Sequence, residues 1–315
     1  MTRMFFSVDA HGSTVVWRKW VSVPSFHNAD MLLLCGDLTG KALVPLIEQK
    51  DGKYSTHYFG RKWTLSTEQE VEDMEKRLAD SGTYAFKTTN DEIAEMRGDR
   101  DLVDKKIEEA ICNRLREWFD LLLEKVDPEK VQLMAMPGND DEFYVDSVIK
   151  EYEDKGIIWC LDEPVDIGGF ECISYAHVNP TPWNTDREKP EEELRKDIDN
   201  LVDKLDNVEK SIFNFHAPPY GTRLDLAPKL KNLKVQTTGG EVEMEHVGSK
   251  AVYEAEKEYQ PMIGLHGHIH ESYASEVIGN TPVVNPGSEY GEGILRGFII
   301  ELDENGVDKY WKVEG

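Results

Sequence analysis

Apolar positions along the chain fall into short unbroken runs that stop abruptly at polar, glycine-containing turns. Met4 to Val8, Met31 to Cys35, Val131 to Met136, Ser211 to Phe215 and Pro261 to Leu265 each read as a buried strand. Between them the spacing becomes helical. Asp101 to Val126 carries Ile107, Ile111, Leu115, Trp118, Phe119 and Leu122 on one stripe. The helix opened by Pro190 presents Leu194, Ile198, Leu201, Val202 and Leu205 in the same way. Thr14 to Val23 signals a helix weakly, Phe143 to Tyr152 predicts another, and Ser249 caps a third. Ile157 to Leu161, Phe170 to Ala176 and Thr281 to Val284 predict further strands, with Gly168-Gly169 as a hairpin turn. Phe298 to Leu302 and Tyr310 to Val313 predict a closing hairpin about Asn305-Gly306.

The rhythm breaks between residues 50 and 130. Residues 51–65 alternate aromatic and polar side chains around Gly60, which predicts a hairpin or a loose excursion. Ser66 or Thr67 then caps an acidic helix running to about Leu78. The segment 51–100 is the candidate insertion, a cap overhanging a site, in a chain otherwise read as one domain over 1–315. Residues 223–246 read as a polar stretch without elements of their own.

Composition narrows the class. Hydrophobic residues make up 39% of 315 positions, enough for a folded protein with a core. The formal charge of -25 repels nucleic-acid phosphates, and no basic stripe offsets it, so a nucleic-acid partner is not expected. Cys35, Cys112, Cys160 and Cys172 form no Cys-x-x-Cys pair and read as buried thiols of a reducing compartment. The N-terminal apolar stretch is too short for a signal peptide, and no run reaches the roughly 18 apolar residues of a membrane span. A cytoplasmic protein without a membrane partner is the expectation.

The chemistry gathers where the runs stop. His266, His268 and His270 alternate directly after Leu265. Asp9 and His11, Asp37, Asn139 and His216 follow four other apolar runs, most of them beside a glycine. Ligands of α/β sheets bind at the carboxyl ends of strands. One such ending is an ordinary loop; five, mixing oxygen and imidazole donors, read as a site for divalent ions. Two ions roughly 3.5–4 Å apart can share a carboxylate and a water, and the bridging hydroxide can attack a phosphorus atom.

Taken together, Asp9-x-His11, Gly36-Asp37, Gly138-Asn139-x-Asp141, a lone His216 and Gly267-His268-x-His270 resemble the calcineurin-like metallophosphoesterases, in that family's order. The stretches from His216 to Thr222, Val247 to Ser249 and Asn285-Pro286-Gly287-Ser288 look like its Icc-related branch. The resemblance implies an α/β fold, a four-layer α/β/β/α sandwich with two mixed sheets. It implies two divalent metal ions, manganese first, with Fe, Co, Ni or Zn as alternatives. Asp9, His11 and His270 would hold one ion, Asn139, His216 and His268 the other, and Asp37 would bridge. His266 matches no ligand and reads as a buried histidine behind the site.

One departure matters. The family's histidine after the asparagine is Asp140 here, the one candidate catalytic residue outside the ligand set. An ionised Asp140 neither steadies a phosphate nor protonates a leaving oxygen, so esters with good leaving groups are expected to be favoured. Tyr220, Thr222 and Arg223, and from the insertion His57, Arg61 and Trp63, are weaker candidates for a pocket lining. Asn285 to Ser288 is expected to shape a turn under the site. The function implied is a phosphodiesterase acting on small or nucleotide-type esters. The alternatives are a phosphomonoesterase or protein phosphatase, and a non-catalytic scaffold on the same fold.

Overall fold

A computed structural model describes residues 1–315. Two six-stranded mixed sheets lie face to face. The first runs Gly306–Glu314, Arg296–Asp303, Thr2–Ser7, Met31–Cys35, Gln132–Met136, Ile157–Ile158. The second runs Ala274–Ile278, Thr281–Asn285, Ile263–Leu265, Ile212–Phe215, Phe170–Tyr175, Val165–Ile167. Each has four parallel strands: Thr2–Ser7 through Ile157–Ile158 in the first, Thr281–Asn285 through Phe170–Tyr175 in the second.

Side-chain alternation along the strands builds the layers. In Thr2–Ser7, Met4 and Phe6 face the other sheet while Phe5 faces outward. In Met31–Cys35, Leu33 points inward and Leu32 and Leu34 outward. Between the sheets these inward residues meet Cys172, Ile212, Ile263, Leu265 and Val284. Outside the first sheet, Trp17 and Trp20 of the helix Thr14–His27 pack with Leu115, Trp118 and Phe119 of Arg100–Lys125. Outside the second, Glu191–Val202 and Lys250–Tyr259 cover Ile173, Phe213 and Phe215. The result is the four-layer α/β/β/α sandwich that the resemblance implies. No helix is long and apolar enough to cross a membrane. All four cysteines are free thiols.

Two regions differ from expectation. The segment proposed as a cap at 51–100 belongs to a third sheet that starts earlier, ordered Arg61–Leu65, Tyr54–Tyr58, Ala42–Glu48, Thr83–Thr88. Its helix, Glu68–Asp80, is capped by Thr67 in a reciprocal capping box with Glu70. The polar stretch after His216 is the larger surprise. From Leu226 to His246 the chain forms an arm of three short antiparallel ladders. Leu226–Pro228 pairs with Met244–His246 at its base, and two small hairpins branch from it. The three ladders meet in a ring of backbone bonds: Lys229 N–H to Glu243 O, Glu243 N–H to Gln236 O, and Gln236 N–H to Lys229 O, at 2.8, 3.0 and 2.9 Å.

Candidate metal centre

The carboxyl ends of the parallel strands from both sheets converge on one edge, and the seven expected donors converge there with them. Asp9, His11 and His270 place donor atoms within 4.8 Å of one another, and so do Asp37, His216 and His268. His11 Nε2 lies 3.0 Å from His270 Nε2. His216 Nε2 faces three oxygens: Asn139 Oδ1 at 3.1 Å, Asp37 Oδ2 at 3.4 Å and Asp9 Oδ1 at 3.8 Å. Asp37 Oδ2 is also 3.6 Å from His11 Nε2, so its carboxylate lies between the two groups.

These donors fit divalent ions better than they fit one another. Asp9 is fully buried, yet its Oδ1 has no hydrogen-bond partner. An imidazole nitrogen carries one proton or one lone pair, so His216 Nε2 cannot satisfy three facing oxygens. Two imidazole nitrogens meeting head-on are likewise poorly served by a single proton. A cation between these atoms answers each mismatch.

Backbone geometry aims the donors. Asp9, His11, Asp37 and His268 all have left-handed φ, at 54°, 42°, 46° and 67°. Non-glycine residues adopt that region at a cost, of order 1–3 kcal/mol each, and persist there only when surrounding structure insists. The insistence is visible. Asp9 N–H bonds Gly36 O, His11 N–H bonds Asp37 O, and Gly12 N–H bonds Leu38 O, locking the first two loops together. The buried Asp141 carboxylate accepts from Leu38 N–H, Thr39 N–H, the Thr39 hydroxyl and Gly138 N–H, tying the second loop to the third. His268 N–H donates to Asp9 Oδ2 at 3.0 Å, across the two sheets.

Two glycines make room for His216. A Cβ on Gly36 would lie 1.9 Å from His216 Nδ1, and one on Gly138 would lie 2.3 Å from Asp37 N and 2.2 Å from Asp37 Oδ1.

Two buried polar side chains grip the histidine loops from behind. His266 Nδ1 donates to Phe215 O and Ala217 O, both at 3.0 Å, bracketing His216. Asn285 Nδ2 donates to Gly267 O and Ile269 O at 3.1 and 3.2 Å, bracketing His268. The Asn285 to Ser288 turn therefore reaches further than its expected role. Ser288 Oγ also bonds Asp9 O, and Ser288 N–H bonds His270 O.

Electrostatics follow burial. Burial pushes the Asp9 carboxyl up to about 7 against the pull of His216. Burial opposes charge on Asp37 too, but His216 and His11 hold it well below the usual carboxylate range. His216 is likewise penalised by burial, yet Asp37 and Asp9 lift it to about 9. Burial, with His216 beside it, takes His268 down to about 3, and burial lowers His270.

The donors floor a cleft of about 1170 Å³. Asp140 lines it, with its N–H donating to Asp37 Oδ1 and its carboxylate 2.8 Å from Lys41 Nζ. Tyr220 lines it too, but Thr222 and Arg223 do not: Thr222 is buried in a turn bonded to Asp225, and Arg223 pairs with Glu276 on the surface. No residue between 42 and 138 reaches this cleft. His57, Arg61 and Trp63 stay with the third sheet, where Arg61 and Arg77 stack on the Trp63 ring. Sequence reasoning passed over Lys41, Trp183 and the arm, all of which line the cleft. Only the run Gly36 to Lys41, a strand-end loop closing on a lysine, carried any signal of the first.

No family model matches the chain. The uncharacterized protein MJ1162 of Methanocaldococcus jannaschii is 32% identical over 161 residues, 50% of this chain and 64% of that protein. The chain thus spans less than two thirds of that relative's length. One solved structure superposes with a TM-score of 0.60 and 19% identity over 99% of this chain and 98% of its own. TT1561 of Thermus thermophilus superposes with a TM-score of 0.51 and 14% identity, again over 99% and 98%. At these identities the likeness is one of fold. A novel archaeal phosphodiesterase aligns at a TM-score of 0.39 and 12% identity, too loosely to bear on chemistry.

Packing and charge each lead to an expected outcome. Gly138→Ala is expected to lower both the melting midpoint and the bound metal measured by elemental analysis, because Asp37 N is backbone and cannot yield. Gly98→Ala, with open space around its Cβ, serves as the neutral control. The second outcome concerns pH. Asp9 and His216 hold protons more tightly in the fold, at about 7 and about 9, than their ordinary values of 3.8 and 6.5. A raised folded pKa contributes stability that is complete below the unfolded value and lost as pH rises through the folded one. Metal-free protein is therefore expected to melt progressively earlier as pH climbs from 7.5 to 9, above the range in which the depressed His177, His268 and His270 titrate in either state. Added Mn²⁺ should recover most of the loss. A midpoint in chelator that holds level or rises over that range would contradict this assignment of protons.

Proposed function

We propose that the chain is a metal-dependent phosphoesterase that hydrolyses phosphodiesters at a pair of divalent ions. The observation that carries the reading is Asp37, whose Oδ2 lies 3.6 Å from His11 in one donor group and 3.4 Å from His216 in the other. Asp9, His11 and His270 would hold one ion, Asn139, His216 and His268 the other, with Asp37 shared. Nitrogen and oxygen donors in this mixture suit Mn, Fe, Co, Ni or Zn, with manganese the first to try. Such ions, when bound, would supply Lewis acidity toward a phosphate oxygen and acidify water.

The chain's own residues do the rest. Interlocked loops hold the donors before substrate arrives, so little reorganisation accompanies reaction. Asp140 orients the shared carboxylate through its N–H. Its own carboxylate pairs with Lys41. Burial opposes the Lys41 ammonium, but the bond from Asp140 outweighs it and raises the lysine above its ordinary value. Lys41 thereby offsets a charge that would otherwise repel phosphate beside the donors. An ion-paired carboxylate has no proton to give a leaving oxygen, so the expected preference for good leaving groups stands. Charge also favours diesters over monoesters. Eight carboxylates and two lysines line the cleft, and a diester brings one negative charge where a monoester brings nearly two.

Metal-stripped protein is expected to recover hydrolysis of bis-p-nitrophenyl phosphate on adding Mn²⁺, with p-nitrophenyl phosphate the poorer substrate. Asp37→Asn and His216→Ala should each cost more than the roughly 10–100-fold typical of residues behind a metal's ligands. Preference for the monoester would move the assignment to a phosphatase. Two equivalents of metal bound without turnover would move it to a scaffold. Separately, across aryl diesters of graded leaving-group pKa, kcat/KM is expected to fall steeply as that pKa rises. A flat dependence would mean that another group supplies the proton.

A further inference from the structure

The cleft is larger than the reaction needs. Drug-sized ligands occupy pockets of about 300–1,000 Å³, and this one holds about 1170 Å³. Away from the metal donors its lining is apolar in two places. Pro180, Pro182 and Trp183 line it from the loop after Phe170–Tyr175, and Pro228, Leu230 and Val235 line it from the arm. Trp183 is 63% exposed and Val235 50%.

The exposed indole is not on a loose loop. The Glu188 carboxylate accepts from Thr181 N–H at 2.9 Å, Thr185 N–H at 2.8 Å and both threonine hydroxyls, knotting residues 181–185 around itself. The Thr181 hydroxyl in turn accepts from Trp183 N–H. Two further bonds fasten the knot to its surroundings. Asn139 Nδ2 donates to Thr185 Oγ1 at 3.0 Å, linking it to the donor cluster, and Asn179 Nδ2 donates to Val247 O at 3.0 Å, linking it to the base of the arm. Donor cluster, tryptophan loop and arm are therefore bonded into one frame. The backbone that carries this exposed indole is thus fixed in place, which makes it a preformed position for an apolar group to meet.

We propose that the substrate is a singly charged phosphodiester with a bulky apolar ester group, aryl or long alkyl, seated against Trp183, Leu230 and Val235. This rests on the phosphoesterase reading and adds the class of substrate to it. The same lining disfavours nucleotide polyphosphates, whose extra charges would meet eight carboxylates and two lysines. Trp183, Leu230 and Val235 set specificity; they do not touch the reacting atoms.

The test uses the Mn²⁺-loaded full chain and a series of p-nitrophenyl alkyl phosphodiesters from methyl to octyl, in which the leaving group never changes. The kcat/KM ratio of octyl to methyl is expected to be at least about 10, since even partial burial of the added methylenes is favourable, with the change mainly in KM. Trp183→Ala and Leu230→Ser should each bring that ratio toward one, whereas Trp63→Phe, outside the cleft, should leave it alone. Binding gives a readout independent of turnover: diphenyl phosphate should quench tryptophan fluorescence, and Trp183→Phe should remove most of the quench. Wild-type activity that is level across the series overturns the inference and leaves the phosphoesterase reading intact. So does a faster reaction with p-nitrophenyl esters of nucleotides than with the octyl ester. A slope untouched by both cleft substitutions overturns the assignment to these residues. No hydrolysis of any ester overturns the phosphoesterase reading, while the quench still decides whether the cleft binds an apolar phosphate.

Discussion

The interaction on which the structure turns is the burial of Asp9 and Asp37 among four imidazoles at one edge of two packed sheets. Removing such groups from water costs several kcal/mol per charge unless partners meet them. Here the partners are incomplete, as the bare Oδ1 of Asp9 shows. Four of the seven donor residues also sit in left-handed backbone. A fold carries that load only if the loops involved have no cheaper arrangement. Bonds between successive loops remove the alternatives: the first is locked to the second by three N–H donors, and the second to the third through Asp141. The two sheets are joined at the same place by His268 N–H on Asp9. The large inter-sheet core behind them, with Met4, Phe6, Leu33 and Val284 wholly buried or nearly so, supplies the stabilisation that this edge consumes.

Much of this was legible in the chain because it depends on strands buried on both sides. Such strands are continuous apolar runs, and their ends are marked by the polar residues that follow within a few positions, among them Asp9, Asp37, Asn139, His216 and His268. The arm at 226–246 gave no such signal. Its ladders are two or three residues long and exposed on most sides, so no apolar period distinguishes them from a loop. Ala42–Glu48 and Thr83–Thr88 were missed for a related reason. They are neighbours in a parallel pair separated by a hairpin and a helix, and Pro45 interrupts the first. The work of Asp141, accepting four hydrogen bonds from two loops, exists only in three dimensions and leaves no mark in the sequence beyond its place in the motif.

The strong acidity of the chain takes on a local meaning at the cleft. Two divalent ions would neutralise part of the eight lining carboxylates, not all of them. On the reading proposed above, a substrate would be attracted by the ions at the floor and favoured by carrying little charge elsewhere. Lys41, paired with Asp140, offsets one of those carboxylates beside the donors. The arm and the Trp183 loop add apolar side chains to the walls, Leu230, Val235 and Trp183, interleaved with carboxylates such as Asp186 and Glu245.

The two clamps behind the histidine loops show how one geometric demand draws different chemistry from different side chains. Asn285 brackets His268 with its amide N–H groups, and its Oδ1 is satisfied nearby by Gly287 N–H at 2.8 Å, so the clamp is self-contained. His266 brackets His216 with Nδ1–H, which leaves Nε2 facing the interior. Its neighbour there is Glu256 Oε1 at 3.3 Å, and both side chains are wholly removed from solvent. Burial holds the Glu256 carboxyl above its ordinary range, against the pull of His266. Neither Glu256 Oε1 nor His266 Nε2 has another partner, so a single proton shared between them would serve both atoms. This also accounts for Gly264, where a Cβ would come within 2.3 Å of Glu256 Oε1 and 2.8 Å of His266 Nε2. The first histidine of the alternating run thus serves the centre from outside it, and a glutamate one helix away and a glycine in the strand are consequences of its being there.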